Sequence, residues 1–435
     1  MKRDIYSLLL EWKNRKQRKP LIINGARQVG KTYILRQFGE NEFRKVAFFS
    51  FDRSPKAKEV FESGGSVAET ILALSAISEV DITPHDTLVI LDEIQDCPKA
   101  LESLKFFNED APDLHIAVAG SLLGLSLHEG VSYPVGKVEE LPLYPMTFPE
   151  FLSALGKDQL VNLLNSTNWN VLNMLSQELI SLLRQYYYVG GMPAAVLAHV
   201  EQKGLLEVRR IQNQILKDYR RDFSKHAPAR EVPRINMVWD NIPSQLAKEN
   251  KKFIYGAVKK SARASDFELA IQWLSDAGLA YKVCRTSKPD LPLKFYEDHN
   301  VFKLFMLDVG LMGAMVRASA ESMLVGNSIF SEYKGAFTEL FVFTQLNALG
   351  FPLYYHSVNN STIEIDFLTQ WNDKVIPIEV KAEVSLKAKS LRTFINSNPT
   401  LKAVRFSMLP YRRQDWLTNI PLYACQCLKK EVSGI

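Results

Sequence analysis

The residues best placed by type and spacing to do chemistry lie between positions 25 and 32, in the segment GARQVGKT. Gly25 and Gly30 stand five residues apart and Lys31 and Thr32 follow directly, which is the spacing of a phosphate-binding loop. Glycine permits backbone angles that turn successive N–H groups inward, and the N-terminus of a following helix adds positive partial charge. The segment predicts an ATP-binding loop made of Gly25, Ala26, Arg27, Gln28, Val29, Gly30, Lys31 and Thr32.

A magnesium ion bound to those phosphates needs oxygen ligands, and two residues are candidates to supply them. Thr32 offers a hydroxyl group, and Asp92 ends the apolar run TLVILD. The adjacent Glu93 carries a carboxylate that can accept a proton from the water attacking the γ-phosphate. We therefore predict ATP and Mg²⁺ as cofactors, Thr32 and Asp92 as metal ligands, and Lys31 and Glu93 as catalytic residues.

Four apolar runs predict the sheet that positions these groups, at residues 21–24, 45–51, 88–91 and 113–121. Their hydrophobicity is continuous rather than alternating, which is typical of parallel strands covered on both faces. In a doubly wound sheet of this kind the ligand lies beyond the carboxyl ends of the strands. Ser121 is thus predicted to contact the γ-phosphate or the attacking water, with a plain turn at a strand end as the alternative.

A second group of candidates lies near the end of the sequence. Glu339 interrupts the apolar helical pattern GAFTELFVFTQL, and Asp366 lies in a predicted hairpin whose second strand carries Glu379 and Lys381 on one face. This is the pattern of a metal-dependent nuclease centre, in which acids hold magnesium and a lysine stabilises developing negative charge. Asp366 and Glu379 are the candidate metal ligands, and ordinary charge patterning of an edge strand is the alternative.

Five motifs occur in order along the chain: GARQVGKT, ILDEIQ, AGSLLG, ELPLYPMTFPEFL and VGGMPAAV. With them the sequence resembles the prokaryotic AAA-type ATPase family in which a C-terminal domain of unknown function follows the ATPase module. The resemblance implies an α/β fold class: an AAA-like P-loop core with a parallel sheet (1–155), a helical lid (156–235), a winged-helix segment (236–290) and a restriction-endonuclease-like α/β domain (291–435).

The chain departs from this family at Gly136-Lys137, where relatives usually carry Gly-Arg. Lysine lacks the planar fork with which an arginine finger contacts phosphate. Arg220 or Arg221 could reach a neighbouring subunit's nucleotide instead, although a solvated basic helix face is the alternative. Within the predicted winged helix, DNA phosphates could be contacted by five basic residues: Lys251, Lys252, Lys259, Lys260 and Arg263.

Composition restricts the class of protein without choosing a partner. The 53 basic and 48 acidic residues leave a formal charge of +5, which is too small to require nucleic-acid binding. The four cysteines show neither a disulfide framework nor paired zinc-ligand spacing. Neither a signal peptide nor an uninterrupted run of about 18 apolar residues occurs, so we predict a soluble cytoplasmic protein without membrane association.

The sequence as a whole predicts a protein that binds and hydrolyses ATP and couples its nucleotide state to a nuclease-like C-terminal domain. DNA or RNA, further copies of the chain or another protein are the candidate partners. Two alternatives stay open at this point. The chain could be a nucleotide-dependent regulatory switch with a catalytically inactive nuclease fold, or a partner-binding scaffold.

Overall fold

The computed structural model of the chain describes residues 1–120, 133–248, 251–325, 331–358, 363–382 and 389–433. The chain forms two compact units. The N-terminal unit comprises residues 1–144 with 276–278, and the C-terminal unit comprises residues 145–275 and 279–435. The four-domain division expected from the sequence stays a prediction. Within the described residues, no helix is both long and apolar enough to cross a bilayer.

The N-terminal unit is built on a five-stranded sheet with the order β2-β3-β4-β1-β5, in which every neighbouring pair is parallel. Side chains of β1, β3 and β4 are buried along their whole length, as expected for strands covered on both faces. This confirms the predicted parallel sheet. The strands are β1 (Leu21–Asn24), β2 (Lys45–Ser50), β3 (Thr87–Asp92), β4 (His115–Ala119) and β5 (Glu139–Pro142).

The described part of this unit contains five α-helices, of which the first precedes β1 and the other four connect strands. Each turns apolar residues toward the sheet, such as Leu35 and Phe38 of α2 or Leu101 and Leu104 of α5. Two helices begin with a proline in the first turn, where its missing N–H is not needed. The helices are α1 (Ile5–Asn14), α2 (Lys31–Glu42), α3 (Pro55–Glu62), α4 (Val67–Ser78) and α5 (Pro98–Asp110).

The C-terminal unit contains fourteen α-helices among the described residues. They are α6 (Phe148–Ala154), α7 (Asp158–Ser166), α8 (Trp169–Met174), α9 (Ser176–Val189), α10 (Pro193–Val200), α11 (Leu205–His226), α12 (Val232–Leu246), α13 (Tyr255–Val258), α14 (Glu268–Asp276), α15 (Val309–Met315), α16 (Ala320–Val325), α17 (Ser331–Ala348), α18 (Lys389–Ser397) and α19 (Leu428–Ser433).

An eight-stranded mixed sheet lies in the same unit, with the order β12-β13-β11-β10-β9-β8-β6-β7. It combines antiparallel pairs such as β9 with β10 and parallel pairs such as β10 with β11. The strands are β6 (Ala280–Thr286), β7 (Glu297–Met306), β8 (Leu353–Ser357), β9 (Glu364–Trp371), β10 (Lys374–Val380), β11 (Ala403–Ser407), β12 (Arg412–Arg413) and β13 (Leu417–Pro421).

The hairpin expected to carry the terminal acids is confirmed. Strands β9 and β10 are antiparallel, Lys374 pairs with Trp371, and Asn372 makes the turn with a φ of 50°. Asparagine is one of the few residues with side chains that adopt this left-handed conformation readily. The winged-helix, lid and restriction-endonuclease-like identities of the surrounding segments stay predictions.

Candidate functional site

The predicted phosphate loop lies between β1 and α2 and has the backbone conformation that its glycines suggest. Gly25, Gln28 and Gly30 have φ values of 151°, 66° and 98°, which are in the left-handed region. A Cβ atom on Gly25 would lie 2.3 Å from the carbonyl oxygen of Leu143, just beyond β5. Glycine is therefore required at position 25 by the close approach of two backbone segments as well as by its φ.

Helix α2 starts at Lys31 and presents its N-terminus to the loop. Gly30 occupies the N-cap and offers no side-chain cap, and no acidic residue lies in the first turn. The helix has 12 residues, so the partial positive charge of its N-terminus is fully developed. Within the loop Ala26 and Val29 are buried and Arg27 is partly exposed. Backbone N–H groups and the helix dipole thus favour an anion at this point.

The ammonium group of Lys31 is held by neutral groups of the loop itself. Its Nζ donates to the carbonyl oxygens of Gly25 and Ala26, at 2.9 Å and 2.8 Å. Burial lowers the pKa of Lys31 to about 8, although the nearby carboxylates of Glu93 and Asp92 act in the opposite direction. The positive charge is therefore only partly balanced by the protein, which favours binding of a polyphosphate.

Thr32 and Asp92 meet although sixty residues separate them in the chain. The Thr32 Oγ1 lies 3.0 Å from each carboxylate oxygen of Asp92. Asp92 is 6% exposed, and burial raises its pKa while the hydroxyl of Thr32 opposes the shift. Hydroxyl and carboxylate oxygens are ligands that Mg²⁺ prefers, so this pair fits the cation expected with ATP.

Glu93 lies directly after β3 in a left-handed conformation, with a φ of 53°. This conformation is unfavourable for a residue with a side chain and is often found at functional sites. The Nε2 of Gln95 donates to the Glu93 carboxylate, so the orientation of that carboxylate is fixed by a neighbour. The sequence interpretation missed Gln95. Its position in DEIQ, two residues after the expected base, was the available signal.

The other residues expected near the nucleotide are less informative. Ser121 lies outside the described residues. Lys137 forms an ion pair with Glu109 at 2.7 Å. Of the two candidate arginine fingers, Arg220 pairs with Asp240 and Arg221 with Asp218, as surface helix residues commonly do. Their contact with a nucleotide stays a prediction.

In the C-terminal unit three of the four predicted nuclease residues lie on α17, β9 and β10, and the fourth, Lys381, directly follows β10. Glu339 lies on α17 and is 3% exposed, and Asp366 lies on β9. Asp366 accepts a hydrogen bond of 2.7 Å from the backbone N–H of Val380, at the end of β10. Glu379 and Lys381 form an ion pair of 3.0 Å, which agrees with their predicted placement on one face.

Two further lysines lie among these acids. Lys303 of β7 is completely buried, with its Nζ 2.6 Å from Glu364 Oε1 and 3.8 Å from Glu339 Oε2. Lys251 contacts the other oxygen of Glu339, and its side chain is only 15% exposed. Lys251 is one of the five basic residues that could contact DNA phosphates, and in the structure it pairs with this buried acid. The seven side chains are called the acid–lysine cluster below: Lys251, Lys303, Glu339, Glu364, Asp366, Glu379 and Lys381.

The protonation of this cluster is governed by burial and mutual attraction. Burial raises the pKa of Asp366 to about 7, and the negative charge of Glu339 adds to the shift. For Glu339 burial also acts upward, but Lys251 and Lys303 outweigh it and the pKa is lowered. Lys303 keeps its proton, because the surrounding carboxylates outweigh its burial and raise its pKa. The cluster is therefore a network in which each charge depends on the others.

The cluster fits a divalent cation poorly in this arrangement. Ligand atoms of Glu339, Asp366 and Glu379 do not all lie within 4.8 Å of one another, and a described set of three with that geometry occurs elsewhere in the chain. Glu379 Oε2 is buried and accepts no hydrogen bond from the described residues, so one oxygen could accept a ligand. The lysines, however, already supply the positive charge that a metal would provide.

Three family models match separate parts of the chain. A model described as "AAA domain" matches residues 17–152. Residues 180–322 and 334–425 match two models that are each described as a domain of unknown function, DUF8612 and DUF4143. The match of residues 17–152 to an AAA domain supports the AAA-type P-loop ATPase module that the sequence predicted for this part of the chain. The C-terminal matches support no nuclease-like fold.

Solved structures with partial similarity include a Walker-type ATPase of Pyrococcus abyssi, at 14% identity and a TM-score of 0.46, covering 72% of this chain and 95% of the other. The Aeropyrum pernix ORC1 protein in complex with DNA shows 15% identity and a TM-score of 0.24, covering 72% and 90%. A RuvB variant of Thermotoga maritima shows 15% identity and a TM-score of 0.29, covering 64% and 87%. These scores carry no functional argument. No curated protein matches the chain.

Proposed function

We propose that the N-terminal unit, as an AAA-type P-loop domain, binds ATP with Mg²⁺ and hydrolyses its γ-phosphate bond. The observation that supports this most directly is the contact of the Thr32 hydroxyl with both oxygens of Asp92. The positive charge of the nearby Lys31 is only partly balanced by groups of the protein. A helix N-terminus for phosphate, oxygen ligands for a cation and an adjacent carboxylate are the parts that this reaction uses.

Each residue has a distinct role in this proposal. The loop from Gly25 to Thr32 donates backbone N–H groups to the phosphates, and Lys31 neutralises the charge that builds up on them. Thr32 and Asp92 would hold the magnesium ion, which when bound withdraws charge from the phosphate oxygens. Glu93 accepts the proton of the attacking water while Gln95 keeps its carboxylate oriented. We also retain Ser121 as a candidate phosphate-sensing residue.

The test of hydrolysis is the variant Glu93→Gln. Glutamine keeps the size of the side chain but cannot accept the proton, so turnover should fall by about 10²- to 10⁴-fold while ATP still binds. Phosphate release measures the first quantity and calorimetric titration with ATP and Mg²⁺ measures the second. Glu62→Gln is the matched control, since Glu62 is an exposed acid at the end of α3 in the same unit. Equal turnover of Glu93→Gln and the parent chain would contradict the proposal.

We further propose that nucleotide state controls the C-terminal unit, which associates with DNA or RNA through a nuclease-like centre that includes Glu339, Asp366, Glu379 and Lys381. The support is chemical: carboxylates on α17, β9 and β10 lie beside Lys303 of β7 and Lys381, which directly follows β10, and acids with lysines are the groups of a phosphodiester-binding pattern. The burial of Lys303 among the acids favours the second candidate, a regulatory switch in which this centre does not cleave.

Cleavage and binding separate these two candidates. Labelled DNA and RNA are incubated with the chain and with Mg²⁺ or Mn²⁺, and compared with the variant Asp366→Asn, which keeps an acceptor for the Val380 N–H. Cutting that disappears in Asp366→Asn but survives in Asp373→Asn, an exposed residue in the turn of the same hairpin, supports the nuclease. Nucleic-acid binding without cutting supports the switch. If the chain neither binds nor cuts DNA or RNA, the proposed association with nucleic acid is wrong.

A further inference from the structure

A second group of possible ligand atoms lies in the C-terminal unit, outside the acid–lysine cluster. Cys284 of β6 and Glu297 and His299 of β7 place a sulfur, a carboxylate oxygen and an imidazole nitrogen within 4.8 Å of one another. Among the described residues this is the one set of three or more such side chains with this geometry. Neither the proposed ATPase reaction nor the acid–lysine cluster uses any of them.

The pairing of the two strands explains why Cys284 and Glu297 share one face. Thr286 pairs with Glu297, so their side chains lie on the same side of the sheet. Cys284 is two residues before Thr286 in β6, and residues two apart in a regular strand point to the same face. His299 follows Glu297 in the part of β7 that has no partner residue on β6, and its side chain lies close to both Cys284 and Glu297.

An irregularity in the register adds to this convergence. Arg285 pairs with Asp298, but the preceding residue, Cys284, pairs with Phe302. Strand β7 thus has extra residues opposite the step from Cys284 to Arg285, which is a bulge that can redirect side chains. Arg285 and Asp298 form an ion pair of 2.7 Å, which fixes the register next to the bulge.

The surroundings leave one side of the group accessible. Cys284 is 6% exposed, whereas the His299 side chain is 70% exposed, with its Nδ1 3.5 Å from Glu297 Oε1. The ammonium of Lys294 lies 2.5 Å from Glu297 Oε2 on a largely exposed side chain. Lys294 can therefore turn toward solvent when another cation neutralises Glu297.

We propose that Cys284, Glu297 and His299 bind a zinc ion. Zinc accepts thiolate, imidazole and carboxylate ligands in tetrahedral geometry. Bonds of about 2.0–2.3 Å would set the donors about 3.3–3.8 Å apart, so a small contraction of the observed group is sufficient. Three protein ligands leave a fourth position for water on the exposed side. The thiolate disfavours Mg²⁺, which prefers oxygen, so this site is distinct in chemistry from the one expected with ATP.

Such an ion would join β6 to β7 at their bulge, where regular hydrogen bonding between the strands is interrupted. An ion that binds the folded state and not the unfolded chain stabilises the folded state, by an amount that grows with the logarithm of its concentration divided by its dissociation constant. The site would therefore act as a structural clamp of the hairpin, independent of nucleotide.

The test uses the full chain, stripped of metal with a chelator and then supplied with Zn²⁺ or Co²⁺ alone. After gel filtration we expect about one retained zinc per chain. With Co²⁺ we expect a thiolate-to-cobalt charge-transfer band, which requires a bond to sulfur. Cys284→Ser should remove the band, whereas Cys97→Ser should keep it, because Cys97 is a buried cysteine of the other unit.

His299→Ala provides a variant whose folding is not at risk, because the side chain is exposed. Zinc should raise the thermal midpoint of the parent chain, and this rise should disappear in His299→Ala. The proposal is overturned by the absence of a band and of retained zinc, by a band that survives Cys284→Ser, or by equal zinc retention in the parent and both variants. A band lost only on changing Cys425 or Cys427 would overturn it as well.

Discussion

The loop around Lys31 and the acid–lysine cluster use the same chemical groups in opposite ways. In the N-terminal unit, neutral groups hold the charges: backbone carbonyls accept from Lys31, and the hydroxyl of Thr32 contacts Asp92. In the C-terminal unit, charged side chains form ion pairs with one another, as Lys303 does with Glu339 and Glu364. The first arrangement can exchange its neutral partners for phosphate and a cation, whereas the second must break ion pairs to admit either.

The two regions therefore differ in how their charged groups are balanced, although both combine lysines with acidic residues. A buried ion pair is stable only while both partners stay in place, since removal of one leaves an uncompensated charge. A lysine held by carbonyls keeps most of its charge available for a ligand. The position of the lysines, more than the number of acids, therefore distinguishes the two regions.

The largest effect expected from this comparison is on folding stability, in a matched pair of substitutions. Lys303→Met should destabilise the C-terminal unit by about 3–5 kcal/mol, because Glu339 and Glu364 lose a buried partner. Lys31→Met should change the stability of its unit by less than about 1 kcal/mol, because burial of that ammonium offsets its two hydrogen bonds. It should nevertheless weaken ATP binding by about 10- to 100-fold.

Urea titration with thiol labelling measures both units in one sample, since the four free cysteines are buried and only Cys97 belongs to the N-terminal unit. The Cys97 label reports the first unit and the other three report the second. Equal destabilisation by both substitutions would contradict the distinction between the two regions.

The next effect is the pH dependence of folding stability, which should have opposite signs for Lys31 in the N-terminal unit and Asp366 in the C-terminal unit. The folded-state pKa of Lys31 is lowered to about 8, so the folded chain binds fewer protons than the unfolded chain above that pH. Stability relative to Lys31→Met should therefore rise between pH 8 and roughly 10.4, by up to about 1.4 kcal/mol per unit.

For Asp366 the folded-state pKa is raised to about 7, so the folded chain binds more protons between roughly pH 3.9 and 7. Stability relative to Asp366→Asn should then fall as the pH rises through this window and level off above it. Urea midpoints followed by circular dichroism, taken as differences from each variant, check both slopes. If the stability differences for Lys31 and Asp366 changed with pH in the same direction, the expected contrast between the two sites would be wrong.

The smallest effect sharpens the description of the N-terminal site. Gln95→Ala removes the donor that orients Glu93, so kcat for ATP should fall about fivefold, equivalent to about 1 kcal/mol, while KM stays unchanged. Steady-state phosphate release measures both constants. Gln214→Ala is the control, because Gln214 is an exposed glutamine whose Nε2 donates to Asp218 on the same helix. A change in KM without a change in kcat would mean that Gln95 acts on binding.

Much of the N-terminal site could be predicted because its information is local. The spacing from Gly25 to Thr32 specifies the loop, and an apolar run ending in Asp92 specifies the strand and its terminal acid. Parallel pairing places the carboxyl ends of β1 and β3 at the same edge of the sheet, and Thr32 at the start of α2, after β1, there contacts Asp92 at the end of β3. The hairpin of β9 and β10 was predictable for a similar reason, since its turn and alternation are contiguous in sequence.

The partners of the terminal acids were not predictable, because they come from distant segments without a motif. Lys303 lies in the apolar strand VFKLFM and Lys251 in a basic run, and neither position indicates a buried acid nearby. Their approach depends on the packing of α17 against the mixed sheet, which pattern alone does not determine. The same applies to Cys284, whose neighbours are set by a bulge in the strand register.

The contact between Gly25 and the backbone of Leu143 has a consequence for comparing this chain with its evolutionary relatives. Because a side chain at position 25 would collide with that carbonyl group, selection for a folded domain preserves this glycine even after nucleotide binding is lost. A glycine at this position in a homologue therefore indicates a shared fold and does not indicate that the homologue binds or hydrolyses ATP. Loss of the lysine at position 31 would be the more informative mark of a degenerate member.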